Sequence, residues 1–222
     1  MIKGLKSLNL EISRPTLIVA GLLFLWSCHS PQSNNKFRAE IDSIDNLSLN
    51  YITQNKDSFE ILNEKGLELS EENNYEIGTI RALKNRALYF KEIAQLDSAK
   101  QLTYYLIPKA LTLNDSFSLA PLYQLAGYLA ERENLADSVN YYYSKSLQLY
   151  EGLNDSLSIV SLYSDFYTFY RKSGLKQESS KVIDKIYQFV PKSEDSKNIF
   201  LYQILGAIYY KDKNYDSAYF YL

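Results

Sequence analysis

The chain has 222 residues, 46% hydrophobic and 23% charged, which places it with ordinary globular proteins and outside the disordered and membrane-dominated classes. Its 24 basic and 26 acidic side chains leave a formal charge of −2, a balance that offers nucleic acid no basic face. One cysteine excludes a disulfide framework within the chain, and one histidine, His29 near the N-terminus, leaves the body of the protein without histidine triads or the common zinc sites.

Lys3, Lys6 and Arg14 precede an unbroken apolar run from Leu17 to Trp26. That run is too short to span a bilayer as a helix and reads as a secretory signal. It closes in Leu25-Trp26-Ser27-Cys28, which resembles the lipobox of bacterial lipoproteins, although Trp26 is bulkier than usual at its place. The resemblance implies a signal peptide over 1–27 and a lipidated Cys28 that anchors the mature chain at a membrane of the cell envelope. Removal of 1–27 takes away three basic side chains and one acidic one, leaving a net charge of about −4. The polar, unpatterned residues after Cys28 predict a flexible tether over 28–36.

From Phe37 to Asn50 the pattern is helical but weak in repeat features, as expected of a terminal cap. Beyond it two markers recur at a spacing of forty residues. Asp57-Ser58-Phe59, Asp97-Ser98-Ala99, Asp137-Ser138-Val139 and Gln177-Glu178-Ser179 form one series, while Asn114-Asp115-Ser116, Asn154-Asp155-Ser156 and Glu194-Asp195-Ser196 form the other. One residue is lost between Asp195 and Tyr202, so Leu122-Tyr123-Gln124 with Gly127 reappears 79 residues on as Leu201-Tyr202-Gln203 with Gly206. A fixed period of this length signals a repeat array whose units bury their apolar faces on one another.

Within a unit, Leu122, Leu125, Ala126 and Leu129 follow a helical rhythm. Short polar turns, Glu131 to Asn134 and Arg171 to Gly174, lead to second helices over Asp137 to Tyr150 and Lys176 to Val190, the latter stopped by Pro191. Each unit is thus a hairpin of two roughly 16-residue helices. Pro108 predicts a kink or early break in its second helix. Asn46-Leu47-Ser48, Asn114-Asp115-Ser116 and Asn154-Asp155-Ser156 match the glycosylation acceptor pattern, but their recurrence at helix starts favours N-capping. The 21 tyrosines, including Tyr141-Tyr142-Tyr143, read as large packing residues with hydroxyls reaching solvent.

Leu205-Gly206, Tyr209 and Ala218 resemble the tetratricopeptide repeat, in which a small residue lets two helices cross closely. Ala87/Phe90/Ala99, Gly127/Ala130/Val139 and Tyr167/Tyr170/Ser179 match more weakly, and Tyr167 is large where a small residue is expected. The resemblance spans Phe37 to Leu222 and implies an all-α fold, a right-handed α-solenoid of about five hairpins. The period exceeds the family's usual length by about six residues, read as longer helices.

The family's groove pattern carries over to Arg81, Lys84, Leu88 and Lys91, then to Gln124, Tyr128 and Glu131. Ser164, Thr168 and Arg171 follow, with Gln203 and Tyr210 in the last unit. This set leans basic at its N-terminal end and implies a protein or peptide ligand, such as an acidic peptide or a C-terminal carboxylate, in a concave groove. A merely solvated face accounts for the same residues. No Gly-rich phosphate loop occurs, and no enzyme, cofactor or metal site is expected. The last second helix stops about eight residues after Tyr215. Its apolar face therefore calls for further chain, a partner or a dimer mate to cover it.

The function expected is a scaffold or assembly factor, by analogy with repeat-bearing envelope lipoproteins that include one in the outer-membrane barrel-assembly machine. The main alternative is the N-terminal sensory part of a longer membrane signalling or transcriptional regulator. A glycan-binding role on a similar helical scaffold is a third.

Overall fold

The computed structural model describes residues 31–189 and 199–221. Those residues form ten α-helices and no strand: α1 Pro31–Tyr51, α2 Lys56–Glu72, α3 Glu76–Glu92, α4 Leu96–Thr112, α5 Ser116–Arg132, α6 Ala136–Gly152, α7 Ser156–Lys172, α8 Lys176–Tyr187, α9 Ile199–Lys211 and α10 Tyr215–Tyr221. The chain divides into two compact units, Met1–Glu40 and Ile41–Leu222, and every interaction described below lies within the second. Cys28, the signal and lipobox residues, Val190 and Pro191 lie outside the described residues.

The forty-residue period is made of two equal modules. Helices α2 to α7 each have 17 residues and are joined by three-residue connections, so helix plus connection repeats every 20 residues. The middle residue of each connection is left-handed: Asn74, Ala94, Asn114, Asn134, Asn154 and Gly174 have φ of 51°, 58°, 52°, 59°, 55° and 77°. The next residue donates its N–H back to the carbonyl five positions earlier, as Gln95 does to Phe90 at 2.8 Å and Leu135 to Ala130 at 3.0 Å. This bond stops the helix by satisfying a terminal carbonyl. The Asn-Asp-Ser triplets serve two helices at once. Their asparagine takes the left-handed site, and Asp115 and Asp155 cap α5 and α7 by accepting from the N–H of Ser118 and Ser158.

Ala94 is the member of this set whose side chain neither tolerates positive φ nor is absent. Ala94→Gly is expected to raise stability by roughly 1 kcal/mol, read as the shift of a urea midpoint at constant slope.

The chain departs from its expected elements in four places. Asn46-Leu47-Ser48 lies inside α1, where Asn46 caps nothing and Ser48 is buried. The same helix begins at Pro31, within the stretch expected as a tether, with proline at the first helical position, where its missing N–H leaves no bond unmade. α4 runs unbroken past Pro108 because Leu106 and Ala110, both fully buried, hold it on either side while Pro108 itself faces outward. Finally, α8 ends at Tyr187, short of Val190, after burying Ser179, Val182 and Ile186.

First helices (α1, α3, α5, α7, α9) alternate with second helices (α2, α4, α6, α8, α10). Each second helix from α4 to α10 packs on its own first helix, and α2, α4 and α6 pack on the next one as well. First helices also meet each other, α3 on α5, α5 on α7 and α7 on α9, whereas among the described residues no second-helix backbone comes close to another, and Tyr104 of α4 reaches Tyr142 of α6 by its side chain. The first helices therefore form a continuous layer, and the backbones of the second helices stand further apart, bridged where large side chains span the gap.

Core size is traded between the two layers. Gly127 of α5 lies beneath the fully buried ring of Tyr143 on α6. One unit later Tyr167 takes the glycine's place and Ile183 the tyrosine's, which removes the anomaly of a large residue at a small position. The Tyr141-Tyr142-Tyr143 run divides by face into one exposed, one half-buried and one fully buried ring. In the last hairpin Leu205, Ile208 and Ala218 are buried, and Tyr219 and Phe220 of α10 are 88% and 79% exposed.

Candidate interaction surface

The layer of first helices carries all twelve groove candidates, and the structure joins most of them to the neighbouring helix. Arg81 of α3 donates through Nη1 to Asp42 Oδ1 of α1 at 2.7 Å, and its Nε lies 3.9 Å from Asp115 Oδ2 at the start of α5. Its guanidinium also lies 6.0 Å from the ring centre of Phe117. Gln124 donates to Asp165 at 2.7 Å and accepts from the Tyr150 hydroxyl at 3.0 Å. Glu131 pairs with Lys172 at 2.6 Å, and Arg171 with Asp212 at 2.6 Å. Lys91 pairs with Glu92 at 2.7 Å and stands 5.5 Å from the centre of the Tyr128 ring.

Most of these partners are about one repeat apart in sequence, so the surface is a polar seam stitched from hairpin to hairpin. Each exposed pair contributes little, about 0 to 1 kcal/mol. Its effect is on register, because each pair forms only when equivalent turns of successive first helices lie side by side.

The remaining candidates are less committed. Leu88, Ser164 and Thr168 are half-buried, with Thr168 Oγ1 donating to the Ser164 carbonyl at 3.0 Å. Gln203 and Tyr210 are exposed, Tyr210 resting edge-on against Tyr215 with centroids 5.7 Å apart. The candidates thus share one layer but not one pocket, and those that contact each other directly are Lys91 with Tyr128 and Ser164 with Thr168.

The expected basic lean at the N-terminal end is corrected by three acids that the groove pattern did not include. Asp42, Asp45 and Asp115 surround Arg81 and Lys84. Asp45 is almost completely buried, and neither of its carboxylate oxygens has a hydrogen-bond partner. Its carboxylate packs against Gly66, where an added Cβ would come 2.6 Å from Oδ1. Burial pushes this carboxyl up to about 7, opposed by the nearby charge of Lys84. Burial also pulls the Lys84 ammonium down to about 8, opposed by Asp45. Further along the layer, burial holds the Asp165 carboxyl above its ordinary range against the hydrogen bond from Gln124.

Beneath this cluster Asn85 locks α3 to α1, donating to the Asp45 carbonyl at 2.9 Å and to Ser48 Oγ at 3.0 Å. A signal for the missed partners was present in the sequence. Complementary side chains recur close to forty residues apart on first helices or just past their ends, Asp42 with Arg81, Glu131 with Lys172 and Arg171 with Asp212. Among the described residues no group of three or more histidine, cysteine or carboxylate side chains is placed to hold a metal ion. No described helix is long and apolar enough to cross a membrane.

No protein-family model matches the chain, and none of the curated proteins compared matches it. Among solved structures, the crystal structure of BtubC (BKLC) from P. vanneervenii is similar, with a TM-score of 0.59 at 12% identity over 91% of this chain and 83% of that one. A likeness at that identity concerns the fold alone.

Proposed function

We propose that this chain is a non-enzymatic interaction scaffold of tetratricopeptide type, exported and held at a membrane of the cell envelope through lipid on Cys28. The observation that carries the reading is the continuous layer of first helices. It offers Leu88, Tyr128, Ser164 and Thr168 in partly open positions between inter-helix pairs that hold it in register. Such a face suits an extended or helical polypeptide lying across several hairpins, with side-chain anchors met at each one. The anchor rests on the apolar run and on Leu25-Trp26-Ser27-Cys28. Several acyl chains, at about 0.8 kcal/mol per buried CH₂, would hold the protein firmly at a surface.

A photo-crosslinking residue placed in turn at Tyr128 and Thr168 on first helices, and at Gln101 and Gln148 on second helices, tests the scaffold. Discrete protein adducts several-fold stronger at the first pair are expected, and equal yields at all four positions would sink the reading. The anchor has its own test. Radioactive fatty acid should label the wild-type chain, and label retained by Cys28→Ala would remove the anchor from the proposal.

A further inference from the structure

The repeat allows one part of the array to be compared with another at matched positions. In the three-helix set α4, α5 and α6, Tyr142 of α6 closes the space between the two second helices. Its ring centroid is 6.2 Å from that of Tyr104 on α4 and 6.2 Å from that of Tyr123 on α5. Forty residues on, in the set α6, α7 and α8, the residues at the places of Tyr104, Tyr123 and Tyr142 are Ser144, Tyr163 and Val182. Two of the three rings are gone.

Larger residues beneath compensate only in part. Phe166 and Tyr170 replace Ala126 and Ala130, and Phe166 packs edge-on against Tyr143 at 5.1 Å and stacks on Tyr170 at 5.8 Å. A cavity of about 280 Å³ remains over this aromatic floor, walled by Ser144 and Leu147 on one side and Val182 on the other. That volume falls just below the range for small-molecule pockets, about 300 Å³ and upward, so it suits one side chain better than a cofactor.

The rim is charged as well as aromatic. Lys181 and Lys185 border the opening from α8, with Lys185 Nζ 5.4 Å from the centre of the Tyr163 ring, and Glu178 is the one carboxylate that lines it. A ring entering here would stack on aromatic faces and would lie beside two ammonium groups.

We propose that the groove between α6 and α8 docks the aromatic side chain of a partner polypeptide, tyrosine or phenylalanine, set among carboxylates. The ring identity comes from the array itself, which fills the matched space with Tyr142. The flanking acids follow from the lysine rim. Its walls are second helices, and none of the residues lining it is among the twelve groove candidates, so it does not depend on the first-helix face proposed above.

The test uses three end-blocked pentapeptides, Glu-Glu-Tyr-Glu-Glu, Glu-Glu-Leu-Glu-Glu and Lys-Lys-Tyr-Lys-Lys, titrated into the full-length chain and followed by amide NMR. The acidic tyrosine peptide is expected to bind at least tenfold more tightly than either of the others, with shifts concentrated in α6, α7 and α8. Ser144→Tyr restores the ring present forty residues earlier, and it should weaken that binding at least tenfold without lowering the melting temperature. If this variant proves unstable, the exposed pair Lys181→Glu/Lys185→Glu decides instead, and should transfer the preference to the basic peptide. Equal binding of the leucine peptide would overturn the aromatic assignment. Binding unchanged in the folded Ser144→Tyr variant, or a charge-reversed pair that keeps the acidic preference, would overturn the site.

Discussion

Tyr143→Ala is expected to remove about 4 kcal/mol of stability, the upper range for deleting a fully buried aromatic ring. The ring lies directly on Gly127, where an added Cβ would come 2.2 Å from its Cδ1 and 2.3 Å from its Cε1. Gly127→Ala therefore sets two effects against each other. Alanine gains about 1 kcal/mol in helix propensity, while overpacking a rigid ring in a filled core costs about 1–3 kcal/mol. Backbone and ring are both held here, so the clash is expected to win, leaving a net loss of about 1–2 kcal/mol. The double variant should be markedly more stable than the sum of the single losses predicts, because removing the ring removes the clash. Additive losses in urea unfolding would show that the two residues do not constrain each other.

The second large effect is a dependence of stability on pH that Asp45 imposes. Its carboxyl is pushed up to about 7 in the fold by burial, above the 3.8 of an exposed aspartate. A carboxyl with a raised folded value binds its proton more tightly folded than unfolded, so stability falls as pH rises from about 4 to about 7. At about 1.4 kcal/mol per unit, the loss is on the order of 4 kcal/mol. Lys84, pulled down to about 8 from 10.5, acts in the opposite direction, and stability recovers as pH rises from about 8 toward 10.5. The first three hairpins should thus be least stable between these limits. Asp45→Asn is expected to flatten the lower slope and to add about 2 kcal/mol at pH 8, less than the full amount because a buried amide also lacks partners. Urea midpoints at pH 5 and pH 8 check this, and a variant whose slope matched the wild type would remove Asp45 as the cause.

What the sequence disclosed was the part of the fold written in local chemistry. Asn114-Asp115 and Asn154-Asp155 mark connections because asparagine tolerates a left-handed backbone and aspartate caps the helix that follows. The period and the hairpin follow from those marks and from the apolar rhythm around Leu122 and Leu125. What stayed hidden depended on the neighbouring helix. Pro108 looks like a break when only its own turn is considered, yet burial of Leu106 and Ala110 keeps α4 continuous. Tyr167 looks misplaced until Ile183 is seen to have yielded the room.

The candidate surface divides in the same way. The layer that carries Arg81, Gln124 and Arg171 was legible from the repeat, but the commitment of each to a partner was not. Asp42 sits on the preceding first helix, Asp165 on the following one and Asp212 just past the end of α9, and only the packing of first helix on first helix brings them within reach.

The 20-residue module also limits how a gene for this protein can change in length. Deleting one residue from a connection would remove a left-handed link and turn the following helix by about 100°, carrying its buried row out of the core. Deleting a whole module would keep the helical phase but exchange the layers, placing a sequence suited to the outer row in the inner one. Only units of forty residues, 120 base pairs of coding DNA, preserve both phase and layer. An array of this kind should grow and shrink between relatives by hairpins, and a laboratory version can be lengthened by joining matched positions such as Leu113 and Leu153.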